Sequence, residues 1–490
     1  MNKNYILWEL LFIYYILIFH FADSELIFVY EHCRHGGRGP LANINSQNSS
    51  NNGIYYDRFN IPWKIGEDDL TLKGKIQLYI LGIRNRLKYS NLINYTKYNP
   101  DELLIHSSKR NRAKKSAYSQ LVGMFNPIIN ISKYDYKFID NISNKFYYPP
   151  NYLVWKNKTN DIYLNIINEA ENSIKYILDK NITNIYSEND INKYILIPFK
   201  ENRTFYLRDK CKNYKKYMEY NYQNKYNKLI EENFDKKYGK IIYTFLKYDK
   251  KEYLNDIKNS TTLIDNYIVN YYEEIDLNYF YNFTKIDKEE FYKTSIIIYE
   301  WWLYNLIVDN ITCKIESSKI MEDLIVYMEN KIKNNKLNMV IDFGHDITEG
   351  SMEYFMHLVF NVDYTLCHYG SNLFFELHKN NKNEYYVEYY IDEDLKLNIS
   401  YYLFKKKIIE NIWTDKQIDD FCFGNIILIL HPKIYIILLF LVICLFIGAV
   451  GLFIYKYYKN FIKNQKKSKK NKDYDEDTEK KGNDKELDLI

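Results

Sequence analysis

Cys33-Arg34-His35-Gly36-Gly37-Arg38-Gly39-Pro40 decides how this chain is read. A histidine and two arginines gather around glycines, directly after the apolar run Leu26-Ile27-Phe28-Val29-Tyr30. Guanidinium forks grip phosphate oxygens in pairs, and glycine lets a backbone turn tightly beside a bound group. An unprotonated imidazole between two fixed cations is a nucleophile toward phosphorus. A basic Gly-Pro turn with its arginines in water has the same composition. The phosphate reading therefore needs partners elsewhere in the chain.

Working outward, the β-branched and aromatic run before the turn predicts a buried central strand with the turn at its carboxyl end. In open α/β sheets that is where ligands collect. Two further stretches have the same form. Leu103 to His106 predicts a short strand running into Ser107-Ser108-Lys109-Arg110-Asn111-Arg112, with a helix from about Ala113. Lys336-Leu337-Asn338-Met339-Val340-Ile341-Asp342-Phe343-Gly344 ends in His345-Asp346. Between the first two lies Leu70-Thr71-Leu72-Lys73-Gly74-Lys75-Ile76-Gln77, which leads into the helical pattern of Leu78, Leu81, Ile83 and Leu87. Later, Asn372 to Leu377 and Glu384 to Tyr390 flank a turn-like Lys379 to Asn383 and predict a β-hairpin.

From about Tyr134 to Ile315 the texture changes to polar helices with tyrosine-rich connections. Tyr163, Ile166, Ala170, Ile174 and Ile177 recur at helical spacing, as do Ile296, Tyr299, Leu303 and Ile307. This predicts packed helices of a second subdomain. No metal-ligand cluster, Walker loop or Ser-His-Asp pattern stands out in it.

If the three polar strand ends meet at one sheet edge, they compose a site for phosphate monoester hydrolysis. His35 attacks phosphorus and becomes a phosphohistidine. Arg34, Arg38, Arg112 and His345 hold the non-bridging oxygens and neutralise charge spreading onto them. Asp346 protonates the leaving alkoxide and then takes a proton from the water that frees the enzyme. The guanidiniums supply the positive field, so this chemistry calls for no metal and no cofactor.

Composition and topology set the surroundings. The chain has 490 residues, 47% hydrophobic, and a formal charge of only +4, which gives no case for a nucleic-acid partner. Lys3, the apolar run Tyr5 to Phe21 and Ala22-Asp23-Ser24 have the order of a secretory signal peptide over residues 1–24. Ile434 to Tyr455 carries no charge, and about 22 helical residues cross a bilayer core. We therefore expect one transmembrane helix at 433–455 and a lysine-rich cytosolic tail at 456–490, a single-pass type I arrangement. Asn-X-Ser/Thr triplets run from Asn48 to Asn398 and none lies in the tail. Cys33, Cys211, Cys313, Cys367 and Cys422 fall on the oxidising side and Cys444 inside the span, so two bridges and a leftover thiol are allowed.

Several ordered motifs together resemble the histidine acid phosphatases, a branch of the histidine phosphatase superfamily, and in particular their membrane-anchored lysosomal and prostatic type. Arg34-His35-Gly36-Gly37-Arg38-Gly39-Pro40 is similar to that family's Arg-His-Gly-X-Arg-X-Pro. Leu70-Thr71 with Gly74 and Gln77 is similar to its Leu-Thr-X-X-Gly-X-X-Gln. Ser107-Ser108 before Arg112, and His345-Asp346, match its remaining two motifs. The resemblance implies a three-layer α/β sandwich with a mainly parallel sheet, formed by residues 25–133 and 316–432. It implies a helical cap inserted at 134–315, and disulfides Cys211–Cys422 and Cys313–Cys367. It also allows a homodimer.

Three departures are visible, and one is that the stretch between Cys313 and Leu337 resembles the family only loosely. Lys109 stands where the family usually has Asp, and His106 where an arginine is common; His106 is expected to be a peripheral polar residue. A phytase or inositol-phosphate phosphatase is the alternative enzyme, with Lys109, Lys114 and Lys115 adding charge nearby. A catalytically silent surface protein on the same scaffold is the alternative outside enzymology. The tail segments Tyr458 to Phe461 and Glu486 to Ile490 loosely resemble sorting signals, which leaves lysosome, vacuole and cell surface all open.

Overall fold

The computed structural model describes residues 24–39, 55–56, 62–63, 69–125, 149–158, 160–180, 182, 185, 211–218, 220–221, 299–300, 303–304, 308–424 and 432–483. The expected signal peptide and much of the expected cap lie outside these residues. Two compact units result, Met1–Phe423 and Gly424–Ile490.

In the first unit the chain runs β1 (Glu25–Arg34), α1 (Leu72–Lys88), β2 (Leu103–Ser107), α2 (Asn111–Phe125), α3 (Asn151–Lys156) and α4 (Asp161–Asp179). It continues with α5 (Asn310–Ile332), β3 (Met339–Gly344), α6 (Asp346–Phe360), β4 (Asn372–Lys379), β5 (Tyr385–Ile391), β6 (Asp394–Ser400), α7 (Tyr401–Asn411) and α8 (Asp415–Phe423). Six strands form one sheet in the order β2-β3-β1-β4-β5-β6. β1, β2 and β3 are parallel, with Arg34 opposite Gly344 and Ser107 opposite Phe343. All three polar turns therefore leave the same edge.

The sheet is mixed rather than mainly parallel. β4 runs antiparallel to β1, and β5 and β6 follow in antiparallel pairs. Short turns join these three strands, and such a connection can only reverse direction; a parallel pair needs a crossover. The β5–β6 turn is Asp392-Glu393, both with positive φ (46° and 74°), a pairing that matches the twist of a two-residue hairpin.

Alternating side chains of β1 feed two cores. Phe28 and Tyr30 join a cluster with Leu324, Met352, Phe355 and Phe404, whereas Val29 and Cys33 join one with Ile76, Ile83, Ala117 and Ile166. Helices thus cover both faces, giving three layers. Within the stretch expected to form a cap, α4 packs its apolar stripe of Tyr163, Ile166, Ala170, Ile174 and Ile177 into the second cluster. α5 opens with a complete capping box, Asp309 accepting from the Thr312 amide at 2.8 Å and the Thr312 hydroxyl accepting from the Asp309 amide at 2.7 Å.

Cys211 and Cys422 form a disulfide. The bridge implied for Cys313 and Cys367 is not formed: both are buried free thiols. Each has another partner, Cys313 Sγ donating to the Asn310 carbonyl (3.4 Å) and Cys367 Sγ to Glu353 Oε1 (3.2 Å). Chain order cannot register such local partners.

The second unit contains α9 (Pro432–Asn483), whose segment Leu439–Lys467 includes an 18-residue stretch with a mean hydropathy of 2.4. It is long and apolar enough to cross a membrane.

Candidate active site

The turn after β1 is deeply set, not solvated: Arg34 is 0%, His35 1% and Arg38 2% exposed. What holds it is the start of α1. Thr71 caps that helix, its hydroxyl accepting from the Gly74 amide at 2.9 Å and donating to the Gly37 carbonyl at 3.0 Å. The same carbonyl accepts from the Thr71 amide at 2.9 Å, and the Gly37 amide donates to Gln77 Oε1 at 2.9 Å. Backbone meets backbone here. A Cβ on Gly36 would lie 2.3 Å from the Gly74 carbonyl oxygen, and one on Gly74 2.1 Å from that of Gly37. Thr71, Gly74 and Gln77, which the sequence offered only as a motif, together clamp the phosphate-type turn.

α2 supplies the other side. The Gly36 amide donates to Ser116 Oγ (3.1 Å), which donates in turn to the Arg112 carbonyl (2.7 Å). Arg112 Nη2 lies 3.2 Å from His345 Nδ1, and Ser108 Oγ 2.9 Å from His345 Nε2. A guanidinium can only donate, so Nδ1 of His345 accepts and its Nε2 carries the proton toward Ser108.

The His35 ring lies 5.4 Å from that of His345, centroid to centroid, and 5.6 Å from Tyr369. His35 Nδ1 is 2.8 Å from the Gly36 carbonyl. A carbonyl only accepts, so Nδ1 bears the proton and Nε2 keeps its lone pair. Burial, and then the guanidiniums of Arg112 and Arg34, the neighbouring His345 and the guanidinium of Arg38, push the imidazole pKa well below its usual value. His35 is therefore neutral in mildly acidic solution.

Asp346 enters at the first turn of α6 and is 8% exposed. Its Oδ2 accepts from Arg34 Nη2 at 3.1 Å and from the Tyr299 hydroxyl at 3.1 Å, while Oδ1 accepts from the Ile347 amide at 2.9 Å. Burial opposes ionisation, but Arg34, Arg38, the Ile347 amide and Arg112 outweigh it and hold the carboxyl below the usual carboxylate range. Arg34 also donates to the Cys367 carbonyl at 2.6 Å and stacks over Tyr369 at 4.1 Å. All six residues singled out in the sequence thus converge: Arg34, His35, Arg38, Arg112, His345 and Asp346.

His106 is not peripheral. It is buried, its Nδ1 2.5 Å from Asp342 Oδ1, and Tyr30 donates to the other oxygen of the same carboxylate. His32 is buried beside this group, with a pKa lowered to about 4 by burial against the pull of Asp342. Tyr299 and Tyr369 are the site residues that sequence reasoning missed. Among the described residues two groups bring donor atoms within 4.8 Å of one another in the manner of metal ligands, Glu349/Glu353/Cys367 and Glu376/His378/Glu388. Neither includes a member of the cationic cluster.

The sequence model of the histidine phosphatase superfamily, branch 2, matches residues 25–392. No curated protein matches the chain in sequence. Among solved structures it is similar to the phytase of Citrobacter braakii, with 12% identity, TM-score 0.49 and coverage of 80% of this chain and 98% of that one. The apo phytase of Hafnia alvei gives 12%, 0.42, 80% and 98% for the same quantities. The multiple inositol polyphosphate phosphatase of Bifidobacterium longum in complex with inositol hexasulfate gives 12%, 0.39, 77% and 88%. By its sequence match over three strand ends and the helices that hold them, this chain belongs to branch 2 of the histidine phosphatase superfamily.

Proposed function

We propose that the chain hydrolyses phosphate monoesters through a phosphohistidine on His35, as a membrane-anchored acid phosphatase with residues 25–432 on the lumenal side. The observation that carries this reading is the fixed tautomer of His35. Its Nδ1 proton is tied to the Gly36 carbonyl, which leaves the lone pair on Nε2, and Arg112, Arg34, His345 and Arg38 all act on the ring electrostatically. Nε2 attacks phosphorus as the P–O bond to the alcohol breaks, and Asp346 gives its proton to the departing oxygen. Water then attacks the phosphorus, Asp346 takes its proton, the P–N bond breaks and inorganic phosphate leaves. Three guanidiniums and His345 carry the charge on the equatorial oxygens throughout.

Acidic operation follows from the electrostatics. A nucleophile whose pKa is pushed well down stays unprotonated in acid. Asp346 is held ionised by the guanidiniums, and a bound phosphate brings negative charge to those same groups, which raises the carboxyl toward the protonated form needed for leaving-group catalysis. The full-length chain in detergent, with EDTA, is expected to hydrolyse p-nitrophenyl phosphate best below neutrality, and His35→Ala to lose at least about 10³-fold. Undiminished activity in His35→Ala overturns the mechanism.

A second reading, inositol polyphosphate hydrolysis, is favoured by one observation. Lys109 and Arg110 are exposed on the turn between Ser108 and Arg112, with Lys114 and Lys115 half-buried just beyond. These cations, of which Lys115 is paired with Asp69 at 2.8 Å, suit a substrate carrying several phosphates. The ratio of rates on phytate and on p-nitrophenyl phosphate separates the two readings.

A further inference from the structure

Asp346 must change protonation twice in each proposed cycle, acting first as acid and then as base. A buried carboxyl group that does this needs neighbours able to satisfy both of its forms. Arg34 and the Ile347 amide cannot, because each only donates. Tyr299 can. Its hydroxyl lies 3.1 Å from Asp346 Oδ2 and 3.2 Å from the Cys367 carbonyl oxygen, two acceptors for one proton. The ring is fully buried, and Arg34 sits 5.5 Å over its face.

Its footing is firm. Leu303, four residues on, packs against Gly350 of α6, where an added Cβ would stand 3.1 Å from Leu303 Cδ2. Tyr304 donates to the Thr365 carbonyl. The end of the inserted segment is thus tied to α6 and to the 364–369 loop, and this fixes where the Tyr299 hydroxyl points.

We propose that Tyr299 is a positioning residue that follows the proton on Asp346. With the carboxylate ionised, Tyr299 donates to Oδ2. With the carboxylic acid formed, the Tyr299 proton swings to the Cys367 carbonyl and its oxygen accepts from Oδ2–H. The carboxyl keeps a partner, and one orientation, in both states. The other charged or titratable groups around Asp346 are Arg34 on β1, Arg38 on the following turn, Arg112 on α2, and His35 and His345, with Glu349 one turn along α6.

The inference rests on the phosphohistidine reading and is tested in the full-length chain in detergent. Tyr299→Phe is expected to lower kcat on an alkyl phosphate such as glycerol 2-phosphate about tenfold, with little change in KM. The effect on p-nitrophenyl phosphate, whose leaving group needs little protonation, should be about twofold or less. The charge-assisted bond to the carboxylate is the stronger of the two, so its loss favours the acid form. The alkaline limb of the pH profile should therefore move upward by about half a unit. In an Asp346→Asn background the same change should cost less than about twofold. Tyr299→His, which can both donate and accept, should recover part of the alkyl phosphate rate and repeats the comparison if the phenylalanine variant does not fold.

Equal losses on both substrates, an unmoved alkaline limb, or the same cost with and without Asp346 overturn the assignment of Tyr299 while leaving the phosphatase reading intact. Wild-type protein with no His35-dependent phosphatase activity overturns both.

Discussion

Gly74→Ala places a methyl group against the backbone of the turn that carries His35. A Cβ there would lie 2.1 Å from the Gly37 carbonyl oxygen, 2.6 Å from its amide nitrogen and 2.8 Å from Leu70 Cδ1. Packed interiors do not absorb such contacts. The leucine methyl can rotate away; the peptide cannot, because Thr71 and Gln77 grip both of its polar atoms. The contact falls about 0.9 Å short of the 3.0 Å that real Cβ atoms keep, so the turn or the first turn of α1 must shift by about that distance. A misplacement of about 1 Å costs roughly 100-fold in rate where geometry is preorganised, and overpacking of this kind costs about 1–3 kcal/mol of stability. Gly123→Ala is the matched control. Its Cβ would meet the Tyr79 carbonyl oxygen at 2.0 Å, where α1 crosses α2, several turns along α2 from Arg112. It should cost comparable stability while the folded protein keeps kcat/KM within a fewfold of wild type. The assay pairs steady-state phosphatase kinetics with thermal melting on all three proteins. Gly74→Ala with kcat/KM within threefold of wild type would falsify the argument that this contact sets the site.

The buried acids make stability fall as pH rises. Burial lifts Glu31 to about 7, Glu353 to about 8 and Asp392 to about 7, so each contributes stability that is fully present below its unfolded pKa and is lost as pH rises through the folded value. His32 and His35, whose values are lowered, act in the opposite sense only below about 6.5. Melting temperature should therefore drop from pH 6.5 to pH 8.5, and Glu353→Gln should flatten the slope; a Tm that is constant or rising over that range contradicts the assignment. For the thiols, alkylation of the denatured but unreduced chain should label Cys33, Cys313, Cys367 and Cys444 and spare Cys211 and Cys422. Mass spectrometry finding Cys313 and Cys367 spared would restore the bridge that the structure lacks.

Residues whose chemistry is out of place in an apolar strand context were legible from the chain alone. Arg34, His35, Arg38, Arg112, His345 and Asp346 all stand just beyond short apolar runs, where a charged residue has little reason to be unless something binds there. Tyr299 gave no such signal, because it is one of 53 tyrosines and its neighbours are tyrosine-rich. Only the tertiary fold brings it to a carboxylate 47 positions away in sequence. His106 was misread for the same reason: its partner Asp342 lies on the neighbouring parallel strand, 236 positions later. Glu349 and Glu353 carry the i, i+4 spacing of a solvated helix face, yet the 361–371 loop covers them. Five of the six strands were legible, three from the chemistry at their ends and β4 and β5 from the hairpin pattern, while β6 carries neither signal.

The arrangement of β1 between β3 and β4 also sets a timetable for biosynthesis. Val29 pairs with Met339 on one side and Glu376 on the other, so both neighbours of the first strand are synthesised some 300 residues after it. At about 5–20 residues per second, translation leaves β1 waiting roughly 15–60 s for its first partner. During that interval an apolar strand with both edges open must be shielded from other nascent chains, and the arginine turn has nothing to enclose. Catalytic competence therefore arrives late and all at once, when β3 slots between β1 and β2 and brings His345 and Asp346 with it.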